Sequence, residues 1–240
     1  MRAAVFSGGG ARCAAQLGYM QRLYEKGVEF EEFGGSSGGA VVAAMLAAGF
    51  EPLEALSSIS QKRVLRYLKP AFFRGALFDS GALRVLFEEL GIGCFTTLRK
   101  SLFVTVCDYE SMEPNYLRRG DLCSALAASC ALMPIFSPLQ IGGRSYIDGG
   151  FADNLPVRGV ENSREIWAFD VNPPYEGGGG FFRNFKRACY IAFNSGSVLA
   201  AKTAQRYVLI KECVRYGIFS FENLDKIYML GYDKAIKDGL

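Results

Sequence analysis

The chain has 240 residues, of which half are hydrophobic and 21% charged, and 27 basic against 24 acidic side chains give a net charge of +3. This length and composition exclude a disordered chain and predict a single domain over residues 1–240. The weak net charge is not the basic stripe typical of nucleic-acid-binding proteins, so we expect no nucleic-acid partner.

The sequence contains no histidine. This excludes a Ser-His-Asp triad, a Cys-His pair and histidine-ligated metal sites, so a nucleophile in this chain would need another base. The seven cysteines form no CxxC pair and show no spacing typical of a zinc site, which predicts free thiols in a reducing compartment. We expect neither a metal nor a cofactor.

The first residues lack a basic segment followed by a long apolar stretch, which argues against a signal peptide. No apolar run reaches the ~18–20 residues that a transmembrane helix needs. The sequence therefore predicts a cytoplasmic or peripheral membrane protein.

Strand-like and helix-like segments alternate along the first two-thirds of the chain. The predicted elements, in chain order, are a strand at 2–7, a helix at 11–26, a strand at 30–35, a helix at 38–48, a helix from Pro52, a helix capped by Ser80 that runs to Leu90, strands at 102–107 and 116–118, a helix capped by Asp121 that runs to Ala131, and two short strands around a Gly142-Gly143 turn. This alternation predicts an α/β fold with a mostly parallel sheet.

The last third shows weaker patterns. We predict a strand at 165–171, a flexible four-glycine loop at 177–180, and a long helix at 182–213 with an interruption near Ser195-Gly196. A short strand at 226–229 and a final helix complete the chain. No functional motif is present in residues 158–240.

A G-x-S-x-G motif, Gly35-Ser36-Ser37-Gly38-Gly39, lies between a predicted strand and an alanine-rich predicted helix. A nucleophilic serine on a tight strand-to-helix turn needs neighbours without side-chain bulk, and Gly35 and Gly39 meet this need. The helix that follows directs the positive end of its dipole at the serine. The motif therefore indicates a nucleophile elbow around Ser37.

A second glycine motif, Gly8-Gly9-Gly10-Ala11-Arg12, follows the first predicted strand and begins a helix. Unpaired backbone N–H groups at such a position can stabilise an oxyanion. A phosphate loop is the alternative. The Gly-Lys-Ser/Thr ending of a P-loop is absent, and Cys13 stands at the last glycine of a dinucleotide fingerprint, so nucleotide binding remains the weaker alternative.

The third motif, Asp148-Gly149-Gly150, ends the predicted hairpin 111 residues after Ser37. An aspartate on a glycine turn can approach another loop closely, although an ordinary turn aspartate has the same pattern. Because the chain has no histidine, a serine in this motif needs a carboxylate or a lysine as its base, and Asp148 is a candidate for that base.

Together, the three motifs and Asn154-Leu155-Pro156-Val157 resemble the patatin-like phospholipase family, in the family's order. The resemblance covers roughly the first two-thirds of the chain and implies a three-layer α/β/α fold. It implies a dyad in which Ser37 is the nucleophile and Asp148 the general base. Its implied oxyanion hole comprises Gly8, Gly9, Gly10 and Arg12. Cys13 and Gly38 depart from the family's usual residues.

The resemblance also implies a phospholipid or another fatty-acyl ester as substrate. A phospholipase A or lysophospholipase activity is the leading prediction. The alternative is a fold retained for lipid or protein binding with little catalysis. Phe181, Phe182 and Phe185 lie among basic residues after the four-glycine loop, which suits a peripheral membrane contact. The alternative for these phenylalanines is a place in the core.

Overall fold

A computed structural model describes residues 1–61, 69–72, 75–161, 163–174 and 180–240, with the backbone alone described at 61, 182, 183, 185, 186 and 189. Within this part of the chain, strands form one eight-stranded sheet from β1 (Arg2–Phe6), β2 (Glu32–Ser36), β3 (Ser101–Asp108), β4 (Pro114–Leu117), β5 (Leu139–Ile141), β6 (Arg144–Asp148), β7 (Glu165–Asp170) and β8 (Arg206–Leu209). The central strands β1, β3 and β7 are almost continuous apolar runs, as expected for strands that are buried on both faces.

Strand pairing follows the path β5-β6-β3-β2-β1-β7-β8, and β4 also pairs with β3. Strands β2 and β6 pair with successive parts of β3 along one of its sides, and β4 lies along the other. Strands β3, β2, β1, β7 and β8 are parallel, whereas β4, β5 and β6 pair antiparallel to their neighbours. The predicted mostly parallel sheet is confirmed. The carboxyl ends of the parallel strands share one edge, which is where open α/β sheets bind their ligands.

Helices cover both faces of this sheet. They are α1 (Ala14–Glu25), α2 (Gly38–Ala48), α3 (Pro52–Gln61), α4 (Gly81–Glu89), α5 (Leu122–Ser129), α6 (Phe181–Thr203) and α7 (Leu224–Lys237). Successive strand residues point to opposite faces. Phe6 therefore packs in the larger core with α1, α2, α5 and α7, while Val5 packs in a smaller core with Ala200 of α6. The three-layer α/β/α fold is confirmed.

Two predictions in the last third are wrong. The helix predicted at 182–213 ends at Thr203, and α6 continues without a break through Ser195-Gly196. Strand β8 follows, because buried Val208 pairs beside Phe169 of β7, a tertiary contact that overrides the local helical pattern. The strand predicted at 226–229 lies inside α7, which packs against α1 with Gly231 next to Ala15.

The two predicted caps occupy the residues before their helices but do not cap them. The Ser80 hydroxyl pairs with the hydroxyl of Ser137, and the Asp121 carboxylate accepts a hydrogen bond from the Ser124 hydroxyl. Residues 177–179 of the glycine loop predicted at 177–180 lie outside the described residues. In the described part of the chain, no helix combines the length and apolar character needed to span a bilayer.

Candidate functional site

Ser37 lies between β2 and α2, at the carboxyl edge of the sheet. Its φ of 52° and ψ of −130° form a backbone conformation that residues with a side chain rarely adopt. A Cβ at Gly35 would lie 2.5 Å from the Gly39 carbonyl carbon, and a Cβ at Gly39 would overlap the main chain at the end of β1. The two glycines of the motif thus stand where the turn has no room for a side chain.

Strand β3 brings Ser37 and Asp148 together. Ser36, the last residue of β2, pairs with Thr105, and Asp148, the last residue of β6, pairs with the next residue, Val106. Both pairings lie on the same side of β3, because β4 occupies its other side at these two positions. The ends of β2 and β6 therefore meet head to head, which brings together Ser37 and Asp148 across a sequence separation of 111 residues.

The Ser37 hydroxyl donates a hydrogen bond of 2.7 Å to Oδ2 of Asp148. The other carboxylate oxygen, Oδ1, accepts the Gly150 N–H at 2.8 Å. Asp148 is 3% exposed, and burial raises its pKa from 3.8 to about 6, while the hydrogen bonds from Ser37 and Gly150 oppose this shift. Asp148 is thus an oriented carboxylate that is ionised at neutral pH yet basic enough to accept a proton.

The glycine motif lies directly beside this pair. A Cβ built on Gly8 would lie 3.0 Å from the Ser37 Cβ, and a Cβ built on Gly38 would lie 3.0 Å from the Gly10 carbonyl oxygen. The glycine loop and the turn around Ser37 are therefore in close contact. Gly10 has a φ of 57°, which glycine adopts without strain. Among the described residues, no atom accepts a hydrogen bond from the N–H of Gly9 or Gly10. These two N–H groups are available to an anion.

The other two predicted oxyanion residues are engaged elsewhere. The Gly8 N–H donates to the Asn154 carbonyl at 3.1 Å, and the Arg12 N–H donates to the Gly9 carbonyl. Nε of Arg12 donates to the Tyr216 carbonyl at 2.6 Å. In this conformation Gly8 and Arg12 hold the loop in place with these N–H groups, and the oxyanion role of the glycine motif stays a prediction.

A buried polar network supports the glycine loop from behind. Nδ2 of Asn172 donates to the Gly8 carbonyl at 2.6 Å and to the Ser7 hydroxyl oxygen at 3.2 Å. The Asn172 N–H and side chain also donate to Asp170, the last residue of β7. The sequence analysis missed this network, whose local signal was two polar residues, Asp170 and Asn172, around the end of a buried strand.

Ser129, the last residue of α5, and Cys130, which follows it, lie beside Ser37. The Ser129 hydroxyl accepts the Ser37 N–H at 2.8 Å and donates to the Thr105 carbonyl at 2.6 Å. Burial raises the pKa of the Cys130 thiol, with the Asp148 carboxylate adding to the rise and the Ser37 hydroxyl opposing it. Cys130 is therefore a neutral thiol at physiological pH and no rival nucleophile.

Helix α6 lies over the turn that follows Asp148. The rings of Phe151 and Phe193 are 4.5 Å apart, and Nδ2 of Asn154 donates to Oδ1 of Asn194 at 3.1 Å. Asn154 thus bonds to α6 with its side chain and to Gly8 with its carbonyl. At the start of the same helix Phe181 is largely exposed. The structure does not describe the side chains of Phe182 and Phe185.

The chain is similar in sequence to known proteins. The family model for patatin-like phospholipase matches residues 4–160. An uncharacterized NTE family protein of Mycobacterium bovis is 28% identical over 186 residues, which cover 74% of this chain and 31% of that protein. Lysophospholipase nte1 of Aspergillus fumigatus is 24% identical over 268 residues, which cover 95% of this chain and 17% of that protein.

The fold is also found among solved structures. VipD from Legionella pneumophila superposes with a TM-score of 0.58 at 14% identity, over 98% of this chain and 66% of that chain. This chain spans about a third of the length of the mycobacterial protein that it matches. The family match extends over most of the chain and includes Ser37, Asp148 and both glycine motifs. The chain belongs to the patatin-like phospholipase family.

Proposed function

We propose that residues 1–240 form a catalytic domain, a serine acyl hydrolase that cleaves lipid esters with a Ser37–Asp148 dyad. The observation that carries the proposal is the 2.7 Å hydrogen bond between the Ser37 hydroxyl and the Asp148 carboxylate at a strained strand-to-helix turn. Backbone strain of this kind persists where the surroundings enforce it, and it often occurs at active sites.

In the first half-reaction, Oγ of Ser37 attacks the ester carbonyl carbon while its proton passes to Oδ2 of Asp148. The tetrahedral intermediate collapses, the bond to the alcohol oxygen breaks, and Asp148 returns the proton to the leaving alcohol. The product is an acyl-enzyme on Ser37. The pKa of about 6 suits both steps, because the carboxylate is ionised before the attack and its acid form readily gives up the proton.

The negative oxygen of the intermediate needs donors that are already in position. The N–H groups of Gly9 and Gly10 supply them, and the helix that begins at Gly38 adds the positive end of its dipole. Removing one such donor typically lowers the rate by roughly 10²–10³-fold.

In the second half-reaction, Asp148 takes a proton from water as the water oxygen attacks the acyl carbon. The bond to Ser37 breaks, Ser37 regains a proton from Asp148, and the fatty acid leaves. The cycle uses one water and needs no metal or cofactor.

Fatty-acyl esters of glycerophospholipids or lysophospholipids are the proposed substrates. The family match and the relative named lysophospholipase support this class. We further propose a cytoplasmic or peripheral membrane location, with Phe181, Phe182 and Phe185 at the start of α6 in contact with the lipid surface.

The test measures fatty-acid release from mixed phospholipid vesicles by wild type, Ser37→Ala and Asp148→Asn. Ser124→Ala is the matched control, since the hydroxyl of this helix serine donates to Asp121 in its own turn. Release by wild type and the control alone, with fluorophosphonate labelling lost in Ser37→Ala, is expected. Release by either dyad variant at the wild-type rate would refute the dyad.

A further inference from the structure

Helix α6 carries an exposed apolar stripe. Ile191, Val198 and Leu199 are 57%, 62% and 49% exposed, and Ala188, Ala192 and Ser195 continue the same surface. Their spacing of three and four residues places them on one side of the helix. The opposite side is anchored, since Ala200 and Ser197 are buried. The stripe is thus the outer surface of a helix whose inner surface packs on the sheet.

The charges of α6 have a single sign. The helix contains Arg183, Lys186, Arg187 and Lys202 and no acidic residue. From residue 188 to residue 201 there is no charged residue at all, so cationic residues flank the apolar stripe at both ends. A helix with Lys and Arg beside an exposed apolar face is typical of segments that lie in the headgroup region of an anionic bilayer.

Helix α6 packs beside the candidate active site through its inner side. The inner residues Phe193 and Asn194 contact Phe151 and Asn154, in the turn that follows Asp148. Phe151 is itself 39% exposed. On the other side of the glycine loop, exposed Phe219 follows Ile218, whose carbonyl accepts the Ala11 N–H. Exposed aromatic residues therefore flank the dyad on two sides.

We propose that the outer face of α6 between Ala188 and Leu199, together with Phe151, is a docking surface for an anionic phospholipid bilayer. The proposal rests on the proposed function, because docking here brings the lipid esters to the mouth of the Ser37–Asp148 site. Charge complementarity selects this occupant. A second copy would bring two α6 helices of the same positive sign together, and like charges oppose such pairing.

The binding test uses Ile191→Ser, Val198→Ser and Leu199→Ser combined in one full-length variant. It is sedimented with vesicles of phosphatidylcholine alone and of phosphatidylcholine with phosphatidylglycerol. The matched control is Leu53→Ser, Met229→Ser and Ile236→Ser, which removes three similarly exposed apolar side chains from α3 and α7. From the apolar area removed, the stripe variant should bind the anionic vesicles roughly 10–100-fold more weakly, whereas the control should match wild type.

Charge is tested separately with Lys202→Glu and with added salt. Both should weaken binding to the anionic vesicles, since surface attraction acts over a Debye length of about 10 Å at moderate salt. Equal binding by the stripe variant and wild type would overturn the proposal. A wild-type dimer that the stripe variant loses, with vesicle binding unchanged, would identify a second copy as the occupant and also overturn it.

Hydrolysis of a soluble short-chain ester separates this proposal from the proposed function. The stripe variant should keep that activity, because none of its three substituted side chains contacts Ser37 or Asp148. If wild type binds vesicles through the stripe but hydrolyses no ester, the docking surface stands and the proposed function fails. If both variants lose ester hydrolysis and binding together, damage to the fold explains the loss and the docking surface is refuted.

Discussion

Replacing Asp148 by asparagine should abolish hydrolysis and stabilise the fold. Burial raises the pKa of Asp148 from 3.8 to about 6, so the folded protein binds this proton more tightly than the unfolded chain does. The stabilisation that protonation provides is complete below about pH 4 and is lost as the pH rises through 6. At pH 8 the buried charge therefore costs about 3 kcal/mol, at 1.36 kcal/mol for each pKa unit.

Asparagine keeps the geometry but removes that charge. Its Oδ1 accepts the Gly150 N–H as the carboxylate does, and the side chain remains a partner for the Ser37 hydroxyl. We expect a gain of up to about 3 kcal/mol at pH 8, equivalent to a rise in Tm of roughly 6–12 °C for a chain of this size. The gain should fall below about 1 kcal/mol near pH 4, where the wild-type carboxyl is neutral.

Urea unfolding of wild type and Asp148→Asn at several pH values measures this dependence. Asp108→Asn is the control, because hydrogen bonds, chiefly from the Ser111 N–H, lower the pKa of Asp108 and its neutralisation should destabilise the fold at pH 8. A gain for Asp148→Asn that does not change with pH, or a loss at pH 8, would refute the buried ionised carboxylate. Loss of the base should lower kcat by roughly 10²–10⁴-fold at pH 8, where the wild-type carboxylate is ionised.

Three further outcomes follow from the same contacts. Wild-type kcat/KM should decline below pH 6, with an apparent pKa of about 6 in a pH-rate profile, because protonated Asp148 accepts no proton from Ser37. Ser129→Ala should destabilise the fold by about 1–3 kcal/mol in urea and lower kcat, since the Ser37 N–H loses its acceptor; unchanged kcat would contradict this. Asn172→Ala should lower kcat with KM nearly constant, because the Gly8 carbonyl loses its donor, and Asn172→Gln should not fully rescue it. A rise in KM alone would oppose that role.

Local sequence patterns predicted much of the site. The G-x-S-x-G motif is a strong signal because only residues without a Cβ fit at Gly35 and Gly39, and the Ser37 conformation follows from a tight turn between a strand and a helix. The absence of histidine directed attention to a carboxylate as the partner of Ser37. Strands β1, β2, β3 and β7 were predicted within two residues of their bounds, since β1, β3 and β7 are short apolar runs and β2 ends in the G-x-S-x-G turn.

The elements that failed depend on contacts between distant segments. Strand β8 exists because β7 offers it an edge, and the α7 segment that reads as a strand is helical because it packs closely on α1. The exposed side of α6 could not be read from its sequence, since the apolar residues on both of its sides have similar hydropathy. Only the packing of Ala200 distinguishes the inner side from the outer one.

The amino-acid sequence by itself determined which chemical groups this protein has for a reaction: a serine on a turn that only glycines permit, an aspartate on a second glycine turn, and no imidazole. The tertiary structure decided that these groups meet. Strand β3 pairs with the ends of both β2 and β6, which brings Ser37 to within a hydrogen bond of Asp148. It also decided that Asn154 accepts the Gly8 N–H, while no described residue accepts the N–H of Gly9 or Gly10. Backbone pairing over long sequence separations is a property of the folded sheet and leaves no local trace in the sequence.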